Sequence, residues 1–108
     1  NLSNIDFTLI STDVKDQKAV PAEFSLEQNH PNPFNPSTVI KYSVPVDGLV
    51  NIAVFNALGE QVATVVNEDL AAGEHTVSFD AGNLAGGIYL CRMKAGNFIS
   101  TKKMVLLK

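Results

Sequence analysis

The sequence contains only one cysteine and no tryptophan, and no apolar run approaches the length of a membrane span. A single cysteine excludes an internal disulfide framework. Without about 20 consecutive apolar residues, the chain is not expected to span a membrane. It begins at Asn1 without a signal-peptide pattern, which suggests a processed product or an excised fragment. Its 108 residues, 45% of them hydrophobic, suffice for one domain whose core needs no metal or disulfide.

Acidic residues are missing from the C-terminal part of the chain. None of the eleven aspartates and glutamates follows Asp80. Lysines on a terminal strand can keep its edge from pairing with other chains, and a basic end can also bind an anionic partner. Nucleic acid is a poor candidate for this anionic partner, because the whole chain has a net charge of −3. Five basic residues lie in the acid-free part: Arg92, Lys94, Lys102, Lys103 and Lys108.

Residue types that carry catalysis or bind metals are few and scattered. The two histidines, His30 and His75, show neither HxH nor HExxH spacing, and no GxSxG or phosphate-binding motif is present. Cys91 lies in an apolar run and is expected to be a packed thiol. Asp80 is expected to bind a backbone amide of the following loop. The sequence therefore predicts a non-enzymatic protein without a cofactor. A calcium site of Asp and Asn oxygens is left open, with no EF-hand spacing to support it.

Apolar and polar residues alternate along most of the chain, and no segment keeps a helical period for long. The segments "TVIKYSV" and "LVNIAVF" are clear examples, and turn residues separate such segments about every 8 to 12 residues. The pattern predicts seven strands from Phe24 onward and one more near the N-terminus, while Glu68 and Asp69 are expected in a turn. The expected fold is an all-β, immunoglobulin-like sandwich of two antiparallel sheets.

Two local motifs refine this prediction. In "NLAGGIY", a glycine bend precedes Tyr89, as in the tyrosine corner of immunoglobulin-like sandwiches, where the phenol hydrogen-bonds to the backbone just upstream. In "HPNPFNPST", three prolines hold the residues before them in extended or turn geometry. This stretch predicts a preset corner that brings one edge strand across to the other sheet, with Phe34 anchored in the core. Whether the corner also binds a partner stays open.

Several segments together resemble the type IX secretion (Por secretion system) C-terminal sorting domain, type A. "FSLEQNHPNPFNPSTVIKYSVP" resembles the opening of that family, "VFNALGEQVATVVN" and "AGEHTVSFDAGNLAGGIYLCRM" its central blocks, and "GNFISTKKMVLLK" its basic, apolar end. The resemblance extends from Phe24 to Lys108. It implies a domain at the C-terminus of exported proteins that crosses the periplasm folded. The outer-membrane type IX translocon would read it, and a surface peptidase would commonly remove it as cargo is attached or released.

The resemblance also implies which residues the translocon recognises and where the protein is found. The implied location is the cell surface or the extracellular space, reached through the periplasm and the outer membrane. The implied partners are the translocon, the surface peptidase and an upstream cargo domain. Carried over by position, the recognition residues are Pro31, Asn32, Pro33, Gly87, Tyr89, Lys102, Lys103 and Lys108.

The N-terminal segment lies outside the resemblance, so we divide the chain into a strand and linker at 1–20 and a sorting domain at 21–108. In "NIDFTLIS", the apolar residues Ile5, Phe7 and Leu9 alternate with polar ones. The segment can be the end of an upstream domain or an eighth strand of its own sandwich. It can also be a strand, residues 3–11, that inserts into an identical subunit. The last interpretation gives an alternative function as the structural subunit of an extracellular filament.

Overall fold

The computed structural model describes residues 20–108. These residues form two antiparallel sheets, one with the strand order β1-β2-β5 and the other with the order β4-β3-β6-β7. The predicted all-β sandwich with seven strands after Phe24 is therefore confirmed, while the N-terminal strand lies outside the described residues. The strands are β1 Ser25–Leu26, β2 Ser37–Val44, β3 Gly48–Asn56, β4 Gln61–Leu70, β5 Gly73–Asp80, β6 Gly87–Ala95 and β7 Phe98–Leu106.

Alternation along β2 and β3 builds the core between the sheets. Ile40 on β2 is fully buried, whereas its neighbour Lys41 is exposed. On β3, Ile52 and Val54 face the same interior and are also fully buried. Each such aliphatic side chain contributes about 1.5–3 kcal/mol when it leaves water. One continuous cluster of apolar side chains from both sheets therefore holds the sandwich together.

Strand β4 is longer than the sequence pattern predicts. The prediction that Glu68 and Asp69 lie in a turn is wrong. They pair with Val50 and Leu49 of β3 inside β4. Asn67, Glu68 and Asp69 are three consecutive exposed polar residues, so the alternation stops before the strand ends. Burial, and in addition the nearby carboxylate of Glu68, raises the pKa of Tyr42.

The tyrosine corner is confirmed. The Tyr89 hydroxyl donates a hydrogen bond to the Ala85 carbonyl at 2.5 Å, and the Tyr89 side chain is buried. Gly87 has a φ of +150°, a conformation that side chains rarely adopt. A Cβ at Gly86 would lie 3.3 Å from the Leu106 carbonyl oxygen. The loop before β6 thus lies close against the end of β7. The expected Asp80 turn is also present, since the Gly82 amide donates to Asp80 Oδ1 at 2.7 Å.

Cys91 is packed in the core, as predicted, and this leads to a chemical expectation. The residue is 2% exposed, and burial raises the pKa of its thiol to about 11. The thiolate is the reactive form, so the folded protein holds little of it near neutral pH. We expect iodoacetamide at pH 8 to leave Cys91 unmodified in the folded protein and to alkylate it in urea, as measured by mass spectrometry. Equal rates in both conditions would contradict its burial.

Candidate functional site

The segment from Asn29 to Pro36, which we call the proline corner, links β1 to β2 and lies against the edge of β7. The Phe34 amide donates to the Val105 carbonyl at 2.9 Å, and the Leu107 amide donates to the Phe34 carbonyl at 2.8 Å. Phe34 and Leu106 thereby form a single parallel bridge. The prediction that the corner brings an edge strand across to the other sheet is wrong, because the corner joins β1 and β2, which pair within the same sheet. The corner itself contacts the four-stranded sheet, and Phe34 is buried at 1% exposure, as predicted.

Polar side chains extend this contact along β7. Asn32 Oδ1 accepts a hydrogen bond from the Val105 amide at 3.0 Å. Gln28, just before the corner, donates from Nε2 to the Lys103 carbonyl at 2.6 Å. An exposed strand edge with unpaired amides and carbonyls is a site for pairing with other chains. The corner and its neighbour Gln28 therefore close the part of the β7 edge from Lys103 to Leu107.

A buried hydrogen-bond network gives the corner its internal shape. Asn29 and Thr38 are 4% and 2% exposed. Asn29 Nδ2 donates to the Pro31 carbonyl and to Thr38 Oγ1, both at 3.0 Å, and Thr38 Oγ1 donates to the same carbonyl at 2.9 Å. Sequence reasoning missed both residues. Thr38 could have been found, because it has the same strand parity as the inward-facing Ile40 and Tyr42.

The loop before β6 meets the C-terminal residues on the same side of the domain. Lys108 Nζ donates to the Gly82 carbonyl at 2.8 Å, so this predicted recognition residue is already engaged within the chain. Gly86 lies close to Leu106 and Lys108. The corner, this loop and the end of β7 thus adjoin one another. Of the predicted residues, Pro31, Asn32, Pro33 and Gly87 are exposed, and Tyr89 is buried.

The two adjacent lysines of β7 point to opposite faces of their sheet. Lys102 pairs with the buried Cys91 and is half-buried on the core side, whereas Lys103 pairs with Leu90 and is exposed on the outer side. The two residues therefore cannot offer one shared cationic surface. Lys103 is the member of the pair that faces solvent.

Other chemistry receives little support from the described residues. Within residues 20–108, no three histidine, cysteine, aspartate or glutamate side chains gather where they could bind a metal. The same part of the chain holds no helix of the length and apolarity needed to cross a membrane. His75 is half-buried, with Nε2 at 2.8 Å from the Ala71 carbonyl oxygen, which fits a structural role. The proposed inserting residues Ile5, Phe7 and Leu9 lie outside the described residues, so the filament hypothesis stays a prediction.

Comparison with known families agrees with this geometry. The model of the family described as "Secretion system C-terminal sorting domain" matches residues 29–107. No curated protein shows significant similarity to the chain. The match begins at Asn29, the first residue of the proline corner, and ends at Leu107, whose amide binds the corner. Since the match spans most of the sequence, the chain belongs to the type IX secretion C-terminal sorting domain family.

Proposed function

We propose that this domain is an export address that the outer-membrane type IX translocon reads in its folded form. It directs an upstream cargo to the cell surface or the medium, and a surface peptidase removes it. The domain acts by being recognised and carries out no reaction itself. Family membership supports the general role as a sorting signal. The observation that carries the proposal further is the contact of Asn32 and Phe34 with Val105 and Leu107.

This contact supports the proposal because it turns separate sequence motifs into one rigid surface. Asn32 and Val105 are 73 positions apart in sequence and are joined by a 3.0 Å hydrogen bond. Pro31 and Pro33 flank Asn32 and stay exposed, so a partner can reach them. A segment that is already fixed in its bound shape loses little conformational entropy on binding. The translocon would therefore recognise a preformed surface rather than an unfolded tail.

Export of a reporter tests the proposal. A periplasmic fluorescent protein is fused in front of residues 1–108 and expressed in a bacterium with a type IX system. We expect the reporter on the cell surface or in the medium, and its retention in a strain without the translocon. We also expect Asn32→Ala to lower the exported amount several-fold, because it removes the bond to Val105 at little cost to stability.

The matched control is Asn67→Ala, which alters an exposed asparagine on β4, far from the corner in the strand order. This variant should be exported like the unchanged fusion. The proposal fails if the unchanged fusion stays in the periplasm of the translocon-competent strain. Normal export of Asn32→Ala would instead remove the proline corner from the recognised surface.

A further inference from the structure

The outer face of the four-stranded sheet carries apolar side chains where a solvent-facing surface is normally polar. Ile88 is 50% exposed and Leu90 is 37% exposed, and both lie on β6. Leu90 pairs with Phe55 of β3 on one side and with Lys103 of β7 on the other. The three side chains therefore lie in one row across the sheet. Ile88 pairs with the half-buried Val105 in the next row. Aligned partners share a face of the sheet, so these residues form one continuous surface.

Arg92 joins this surface in a fixed orientation. Its guanidinium lies 4.4 Å from the centre of the Phe55 ring, which is a cation–π contact. Its Nε is buried and has no hydrogen-bond partner within residues 20–108. A buried donor without a partner destabilises the fold. The guanidinium is therefore held in place while part of its hydrogen-bonding capacity is unused. We call Phe55, Ile88, Leu90, Arg92, Lys103 and Val105 together the outer-face patch.

The patch does not extend to the β4 edge of its sheet. On the same face, β4 carries Gln61, Thr64 and Asn67, paired with Phe55, Ala53 and Asn51 of β3. These β4 residues follow the usual rule that a solvated sheet face is polar. The exposed apolar residues of the patch, Ile88 and Leu90, lie instead on β6, beside the cations of an acid-free stretch of sequence. An apolar surface with cations and no acidic residue of its own complements an acidic protein surface.

We propose that the outer-face patch is a docking surface for an acidic protein. The partner places carboxylates against Arg92 and Lys103 and covers the exposed side chains of Ile88 and Leu90. The inference rests on the proposed function, and the partner is the component of the export machinery that reads the domain. A lipid surface fits less well. Lipid-binding clusters contain about 4–8 basic residues, whereas Arg92, Lys94 and Lys103 are the basic residues that β6 and β7 place on this face.

Paired substitutions on the two sheets test the inference. In the reporter fusion, Leu90→Ser and Lys103→Glu change the patch. Val39→Ser and Lys41→Glu change residues of similar exposure on β2, since Val39 is 39% exposed and Lys41 is also exposed. We expect each patch variant to lower the exported reporter about tenfold or more, because opposing charge or lost apolar contact at a docking surface weakens binding. The β2 variants should stay within about twofold of the unchanged fusion.

Two further measurements keep the outcomes distinct. Thermal unfolding of purified residues 1–108 with each substitution should show that all four variants are folded. A photo-crosslinking amino acid at Ile88, compared with one at Val39, should give an adduct with a translocon protein from position 88 alone. Normal export of the folded patch variants, or a lipid adduct at position 88, would overturn the inference and leave the proposed function standing. Retention of the unchanged fusion would overturn both.

Discussion

Replacing Phe34 with alanine should destabilise the domain by about 3–5 kcal/mol, the usual range for removing a buried aromatic ring. The Phe34 side chain is 1% exposed and is among the largest that are fully buried. Its ring lies 6.4 Å from the ring of Phe79, measured between centres, in a tilted arrangement. The substitution leaves a cavity between the two sheets at the point where the proline corner enters the core. The corner then loses its anchor, although its backbone bonds to β7 can still form.

Urea unfolding of residues 1–108, followed by circular dichroism, measures this loss. The control is Leu58→Ala in the turn between β3 and β4, where the side chain is 85% exposed. It should change the free energy of unfolding by no more than about 0.5 kcal/mol. If Phe34→Ala cost less than about 1 kcal/mol, the ring would not be the anchor of the corner. The hydrogen bonds to β7 would then be its main attachment.

Asn29→Ala should destabilise the domain by about 2–4 kcal/mol. The substitution removes two hydrogen bonds from Nδ2, one to the Pro31 carbonyl and one to Thr38 Oγ1. Because Asn29 and Thr38 are both buried, water cannot readily replace these bonds, and each group left without a partner costs about 1–3 kcal/mol. The bond from Thr38 Oγ1 to Pro31 still satisfies part of the network. The expected loss is therefore smaller than that for Phe34.

The same urea experiment with Gln28→Ala provides the comparison. Gln28 is the exposed neighbour of Asn29, and its Nε2 bonds to the Asn29 side chain and to the Lys103 carbonyl. We expect a loss below about 1 kcal/mol, because water can take over exposed hydrogen bonds. Equal losses for the two variants would show that burial of Asn29 is not what makes its bonds matter.

The sandwich could be predicted from sequence because its strands follow local rules. Alternation around Ile40 and Ile52 identifies β2 and β3 without any long-range information. The tyrosine corner is likewise a local motif, since Tyr89 binds a carbonyl four residues upstream. Phe34 could be assigned to the core because it is a large apolar side chain in a stretch of prolines and polar residues, and such a side chain is favoured in the interior. Each of these predictions needs only a short window of sequence.

The contacts of the candidate site could not be predicted in that way. Nothing near Asn32 in the sequence indicates that its side chain binds the Val105 amide, because that pairing depends on how the two sheets are placed. The length of β4 was also missed, since Asn67, Glu68 and Asp69 are polar and exposed in succession and break the alternation that marks a strand. The opposite orientations of Lys102 and Lys103 could have been predicted from the sequence. Strand parity counted back from the apolar Met104 places Lys102 on the core side.

The bond between the proline corner and β7 has a consequence for synthesis. The Phe34 backbone is paired with the carbonyl of Val105 and the amide of Leu107, residues that lie far downstream in the sequence. A nascent chain cannot form this pairing until those residues have left the ribosome. A product truncated before Val105 would carry an unpaired corner and an incomplete last strand. The corner is thus completed only after β7 has been translated, so a domain whose corner is paired contains every strand encoded before β7.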